Sequence, residues 1–355
     1  MLYTLEFKVI DLLRLVFMLI CLSACNEEHG QVKYFRLGES NAAITDYLYL
    51  SNSENQSMLF IEDRINCSFE VYNLDSYEKM SSVSFIGNKA NSPPLQAIIS
   101  LNKDTLLVLR KNDPHLYFFN QYGHQIDRWD IAENFLPHFS TTHNFPTVYR
   151  RKLYIPFFPV NPSAILDRME AYELIVDLED QSVDTISFSF PARKQMGLRH
   201  HLAKRTIIDS KLVYLWGNSE MLIYDLMTRR KQAFKLDSMN TWVDFEGNFL
   251  EHSDQQDYYS DSKVYDHIIY NPYQKEIYII VLLPLDKSTS FYQRDFQILV
   301  YNEHFKLLSR NIYNGLDFVY NMSFVSEQGF FISNNHPLSS NYRRDRMTFT
   351  KILFE

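Results

Sequence analysis

Three groups of basic side chains stand close enough in the chain to hold an anion: Arg193-Lys194 with Arg199-His200-His201, then Arg294, then Arg343-Arg344 with Arg346. A guanidinium presents a planar fork that pairs bidentately with a carboxylate, phosphate or sulfate, so converging arginines favour an acidic ligand. Arg199, His201, Arg294 and Arg344 are the candidate contacts. The blander alternative is a set of solvated arginines neutralised by neighbours such as Asp295 and Asp345. Adjacent His200 and His201 point to opposite faces of an extended strand and do not chelate one ion. His115, His124, His138 and His143 lack ligand spacing, so no metal is expected. Asp254, Asp257, Asp261 and Asp266 supply the carboxylates calcium prefers, without the glycine and closing glutamate of a calcium loop, and a solvated insertion is expected. No nucleophile elbow, paired-carboxylate signature or Ser–His spacing is present, and no cofactor is implied. A carbohydrate-active hydrolase or lyase stays open as an alternative, since glycosidase carboxylates can lie far apart in sequence. Trp242, Tyr258, Tyr259 and Tyr292 suit either stacking on sugar rings or burial in a core.

The cysteines carry a different chemistry. Leu15 to Leu22 is an eight-residue apolar run preceded by Lys8 and Arg14. It is too short for a bilayer span of about 20 residues and suits a secretory signal. Leu22-Ser23-Ala24-Cys25 follows and resembles the lipobox of bacterial lipoproteins. That resemblance implies a signal peptide over 1–24, lipidation of Cys25, and a tether over 25–30. Glu6 and Asp11 interrupt the basic leader, so the true start falls slightly downstream in this reading. The run Asn26-Glu27-Glu28 resembles the surface-export signal of Bacteroidota lipoproteins, and a plain acidic linker explains it equally well. The expected address is the cell envelope, anchored in the outer membrane on its surface or periplasmic side. Of three cysteines only Cys67 then remains, so no internal disulfide braces the fold. Cys67 has no basic neighbour to activate it and reads as a buried thiol.

These residues must be positioned by a β-rich frame. The 355 residues are 46% hydrophobic and 22% charged, a globular composition, with 24 Tyr and 27 Phe against 9 Gly. Aromatics fit pleated half-buried surfaces, whereas scarce glycine disfavours phosphate-cradling loops. The net charge of −8 gives no footprint for nucleic acid.

Five segments repeat one pattern of apolar residues, then Asn or Asp, then a turn: Val71-Tyr72-Asn73, Phe118-Phe119-Asn120, Ile175-Val176-Asp177, Ile223-Tyr224-Asp225 and Val300-Tyr301-Asn302. Asn and Asp side chains bond to backbone two residues on and tolerate the left-handed conformation of hairpin turns. Apolar strands precede each anchor (58–62, 105–110, 152–158, 211–216, 276–283), others lie upstream (95–101, 145–150, 206–208, 265–270), and a further set follows each turn (78–85, 125–131, 183–190, 231–236, 306–312). A sixth copy runs 318–326, 329–333 and 348–354 and lacks its last strand, which 31–37 is free to supply. No strong amphipathic helix appears, and 162–172 is the best candidate for one. The pattern resembles six-bladed β-propellers, and Bacteroidota lipoproteins grouped only as domains of unknown function. The resemblance implies one all-β domain over 31–355, with four-stranded antiparallel blades closed into a ring by an N-terminal strand. A seven-bladed count around 237–268 and a pair of β-sandwiches are the alternatives. Propellers bind at the channel mouth, and the long loops 161–169, 191–204, 237–264, 284–295 and 334–347 enlarge one face. The expectation is a monomeric binding or scaffolding module, on the membrane through its lipid, with a glycan or an envelope protein as partner.

Overall fold

A computed structural model describes residues 32–36, 48–53, 56–63, 68–74, 76, 78–84, 95–102, 104–110, 113–131, 135–137, 146–159, 170–189, 204–215, 220–236, 263–285, 293–336, 338–340, 342 and 346–354. Strand β1 (Val32–Arg36) stands apart from the first blade, which is β2 (Leu48–Ser53), β3 (Gln56–Asp63), β4 (Ser68–Asn73) and β5 (Lys79–Val83). Blade 2 is β6 (Leu95–Asn102), β7 (Thr105–Arg110), β8 (His115–Asn120) and β9 (Gln125–Asp130). In blade 3, β10 (Phe135–Pro137) and β11 (Thr147–Tyr149) both pair with β12 (Lys152–Pro159), followed by β13 (Glu170–Asp177) and β14 (Val183–Ser189). Blade 4 is β15 (Lys204–Ile208), β16 (Lys211–Leu215), β17 (Glu220–Asp225) and β18 (Lys231–Lys235). Blade 5 is β19 (Val264–Asn271), β20 (Glu276–Leu282), β21 (Phe296–Asn302) and β22 (Leu307–Tyr313). Blade 6 is β23 (Val319–Ser326), β24 (Gly329–Ser333) and β25 (Arg346–Lys351), completed by β1.

The chain is thus a six-bladed β-propeller. Strand β1 pairs antiparallel with β25, from Val32 opposite Thr350 to Arg36 opposite Arg346, and closes the ring. Each seam between blades holds an apolar cluster, including the closing one, where Leu59, Ile61 and Tyr72 of blade 1 meet Phe324, Phe331 and Phe349 of blade 6. Second strands such as β20 (EIYIIVL) are buried along nearly their whole length because a neighbouring blade covers each face. Fourth strands such as β22 alternate between exposed and half-buried positions, which fits an outer edge. Six sheets with six packed seams replace the seven-bladed and sandwich alternatives.

The five repeated anchors are the last residues of β4, β8, β13, β17 and β21. Each side-chain oxygen accepts turn amides: Asn120 from Tyr122 and His124 (both 3.0 Å), Asp225 from Met227 (2.9 Å) and Thr228 (2.8 Å), and Asn302 from His304 (3.0 Å) and Lys306 (2.9 Å). Asn73 accepts from Ser76 N–H (3.1 Å), and Asp177 from Glu179 N–H (3.0 Å). The left-handed residue is not the anchor, as the sequence suggested. It falls three or four places later, at Gly123 (φ 83°), Gln181 (61°), Arg229 (59°) and Phe305 (58°). The helix candidate also fails in its last three residues, since Glu170–Tyr172 opens β13; 162–169 lies outside the described residues. Two strands, β2 and β10, were not anticipated.

Candidate functional site

Antiparallel order places the start of every first and third strand on one face, the mouth face, with the long connections. The first-to-second and third-to-fourth turns lie on the opposite, turn face. Second and third strands pair with one another in continuous register, while first-to-second pairings break in blades 2, 5 and 6 and third-to-fourth pairings in blades 1, 2 and 5. Gln96 is skipped between Leu95 and Ala97 of β6, Asp266 is skipped on β19, and Tyr320 to Met322 are skipped on β23. In blade 3 the first-strand position is interrupted between β10 and β11. A bulge re-aims the side chain it carries, and such breaks concentrate where a sheet must present a group off its regular pleat.

Three neighbouring blades deliver charged side chains to this level. Lys204 and Arg205 open β15, and alternation sends them to opposite sides. Arg205 turns to blade 3, where its Nη2 donates to Tyr154 O (2.8 Å), its Nη1 donates to Thr147 Oγ1 (3.2 Å) and its Nε pairs with Glu173 Oε1 (2.5 Å). Lys204 interacts instead with Asp266 of blade 5, which sits in the β19 bulge. The next residue, His267, holds Asp266 through Nδ1 and meets Tyr320 of blade 6 edge to face, ring centroids 5.8 Å apart. Arg294 ends the connection between β20 and β21, and its Nε donates to Leu283 O. Gly315 lies against the Arg294 backbone: a Cβ there would stand 2.3 Å from Arg294 O, so only glycine admits the approach. Gly315 N–H donates to Asp295 Oδ1 (3.0 Å), tying the linker between blades 5 and 6 to this segment.

Lys204 is 4% exposed, and His267 and Arg294 are 1% exposed. Burial lowers the Lys204 ammonium, with Asp266 opposing it. Burial likewise brings Arg294 down to about 10, with Tyr320 and Asp266 pulling back. His267 is lowered by burial, against Asp266 and with Lys204, which favours the neutral ring. The result is a pair of cations stripped of much of their water beside one carboxylate. An anion reaching them would feel a stronger attraction than on an open surface, because the local dielectric is low.

Of the residues anticipated from sequence, Arg294 lies within this cluster, buried in its wall. Cys25, Cys67, Arg199, His201 and Arg344 lie outside the described residues, as do Trp242, Tyr258 and Tyr259. Asp266 had been grouped with the acidic loop, and the structure assigns it to a bulged strand. Lys204, His267 and Tyr320 had no sequence signal, since a strand's bulge or register break leaves no mark in its residue pattern. A second polar group, on blade 2, joins Asp113, His115, Tyr117 and Arg128. Tyr117 OH donates to Asp113 Oδ2 (2.8 Å), His115 Nδ1 pairs with Asp113, and His115 Nε2 stands 3.1 Å from Asp130. His115 and Tyr117 sit on the third strand and Arg128 on the fourth, and Asp113 lies in the connection into the third, outward of the first strand. Among the described residues no three His, Cys, Asp or Glu side chains gather as a metal site.

Fold and site together define a six-bladed propeller with a desolvated cationic cluster at its mouth. Among solved structures, the chain is similar to a member of the DUF4221 family from Bacteroides vulgatus ATCC 8482, with 16% identity and a TM-score of 0.74, over 92% of this chain and 97% of that one. It is also similar to a protein from Bacteroides fragilis NCTC 9343 predicted to be exported, with 11% identity and a TM-score of 0.53, over 92% and 96% of the two chains. At these identities the likeness is one of fold. No protein-family model matches the sequence, and no curated protein matches it.

Proposed function

We propose that the chain is a lipid-anchored, extracytoplasmic binding module that takes an anionic ligand, such as an acidic glycan or a carboxylate presented by an envelope protein, at its mouth. The observation that carries this reading is the buried Lys204–Asp266–Arg294 cluster, which the start of β15, the β19 bulge and the β20–β21 connection bring together between adjacent blades. Arg199, His201 and Arg344 belong to the connections into β15 and β25, and in this reading they add contacts from the same side. The lipobox-like Leu22–Cys25 and the fold shared with a Bacteroides protein predicted to be exported support the compartment.

Two measurements test it. Globomycin-sensitive lipid labelling should be present in wild type and absent in Cys25→Ala, and protease treatment of whole cells should report the side of the membrane. Calorimetric titration with uronate or sulfated oligosaccharides should show binding that falls at least about tenfold in Lys204→Met and Arg294→Met, the loss expected for one charge-assisted contact. Equal affinity for neutral oligosaccharides, or variants that melt normally and bind like wild type, would overturn the anionic-ligand reading.

A further inference from the structure

Among the described residues of the mouth cluster, only His267 ordinarily changes charge between pH 5 and 8. It is buried among the others, and each packed element brings it a charged or titratable neighbour. Its own strand β19 supplies Asp266, whose carboxylate is held by His267 Nδ1. The start of β15 supplies Lys204, which acts on both residues. Strand β23 supplies Tyr320, set edge to face against the ring. The connection into β21 supplies Arg294, whose charge Asp266 and Tyr320 both favour. A carboxylate on Nδ1 selects the tautomer with its hydrogen there, so a second proton goes to Nε2.

With the ring neutral, two cations and one carboxylate leave the group with a single net positive charge, the complement of a monoanion such as a uronate carboxylate or a sulfate ester. Asp266 is shared between Lys204, Arg294 and His267. An arriving anion takes over the two cations and leaves Asp266 to the imidazole. Both changes favour the imidazolium, because the positive field against it is neutralised and its carboxylate partner is released to it.

We propose that the mouth takes its anion together with a proton, with His267 as the group that accepts it, so that affinity rises as the pH falls. The inference rests on the anionic-ligand reading and adds its regulation. The proton comes from solvent, no bond to the ligand forms, and bound anion and bound proton stabilise each other reciprocally. His267 is a positioning residue that acts through Asp266 and the two cations. Before binding, burial holds the ring below its ordinary 6.5, and the anion raises it. Affinity is therefore highest below the starting value, falls between the two values and is flat above the higher one.

The probe is a sulfated oligosaccharide, whose ester keeps its full charge throughout, so any slope belongs to the protein. Calorimetric titration of the full chain across pH 5 to 8 should show affinity rising on the order of tenfold towards low pH. Buffers of different ionisation enthalpy should reveal proton uptake on binding. His267→Gln should give a flat profile without linked uptake, while His200→Gln with His201→Gln, in the connection into β15, should keep the slope. Binding with neither slope nor uptake in wild type overturns the proton coupling and leaves the anion reading standing. A slope that survives in His267→Gln, or vanishes in the double variant, overturns the assignment to His267. Absence of binding at every pH overturns both readings. Should His267→Gln fail to fold, NMR titration of the wild-type imidazole Cε1–H resonances decides: a buried ring must titrate at higher pH with the oligosaccharide than without it, and no such ring overturns the proposal.

Discussion

Between blades 3 and 4 the ion pair of Glu173 and Arg205 has almost no solvent contact, and Tyr214 OH donates to the same Glu173 oxygen at 2.6 Å. Burial pushes Glu173 up to about 7, although Arg205 and Tyr214 pull it down. The folded value lies above the 4.5 of an unperturbed glutamate. The folded chain therefore holds a proton that the unfolded chain has released. Stability from this group is full below about pH 4.5 and is lost as pH rises through about 7. Thermal unfolding of wild type and Glu173→Gln across pH 4.5 to 8 should show wild type losing stability relative to the variant as pH rises. Parallel curves would mean that Glu173 titrates alike in both states. Removing the other partner is harsher: Arg205→Ala strands a buried carboxylate and should cost about 3–5 kcal/mol in denaturant unfolding. Tyr214→Phe removes one bond to a charged group, about 1.5–3 kcal/mol. At the mouth, Gly315→Ala should displace the Arg294 segment and weaken both stability and anion binding, because the new Cβ meets backbone and not a movable side chain.

At the scale of elements, the anchor residues fix the third-to-fourth turns by accepting turn amides, while the left-handed φ falls to residues further on. Asn302→Ala removes an acceptor shared by two turn amides and should cost about 1 kcal/mol, read by chemical denaturation. Gln181→Gly should instead stabilise by roughly 0.5 kcal/mol, since relief of a left-handed side chain outweighs the added freedom of the unfolded state. The repeated Asn and Asp were legible because an Asx turn needs a particular residue type at a fixed place after a strand. The left-handed position three or four residues later was not legible, because Gln181, Arg229 and Phe305 are held there by hairpin closure and not by their own preference. Likewise β10 is three residues long, and its existence follows from pairing with β12. The mouth shows the same division. Arg294 could be flagged because charged residues in a long connection are visible in sequence. Lys204, Asp266 and His267 come together only when blades 4 and 5 pack and β19 bulges, and no local spacing encodes that.

At the scale of the molecule, closure is the property that the terminal strand decides. Segment 31–37 was assignable from sequence by elimination, as the one extended stretch outside the repeats when blade 6 lacked a strand. The structure gives it five paired positions on β25. Without β1, the outer edge of β25 would present unpaired amides and carbonyls, a template for pairing with other chains. The closing seam would also lose its outer support beside Met347 and Phe349, which pack against blade 1. Removal of residues through 36 should therefore lower the melting temperature and produce concentration-dependent association in light scattering. Removal through 30 should leave both close to the parent, because β1 remains. The paired truncations separate the strand from the residues before it. If the longer truncation melts and scatters like the shorter, the blades are held by their seams alone. If it fails as expected, the five residues of β1 that pair with β25 shut the ring, and fold stability rests on a strand that comes from the opposite end of the chain from the blade it completes.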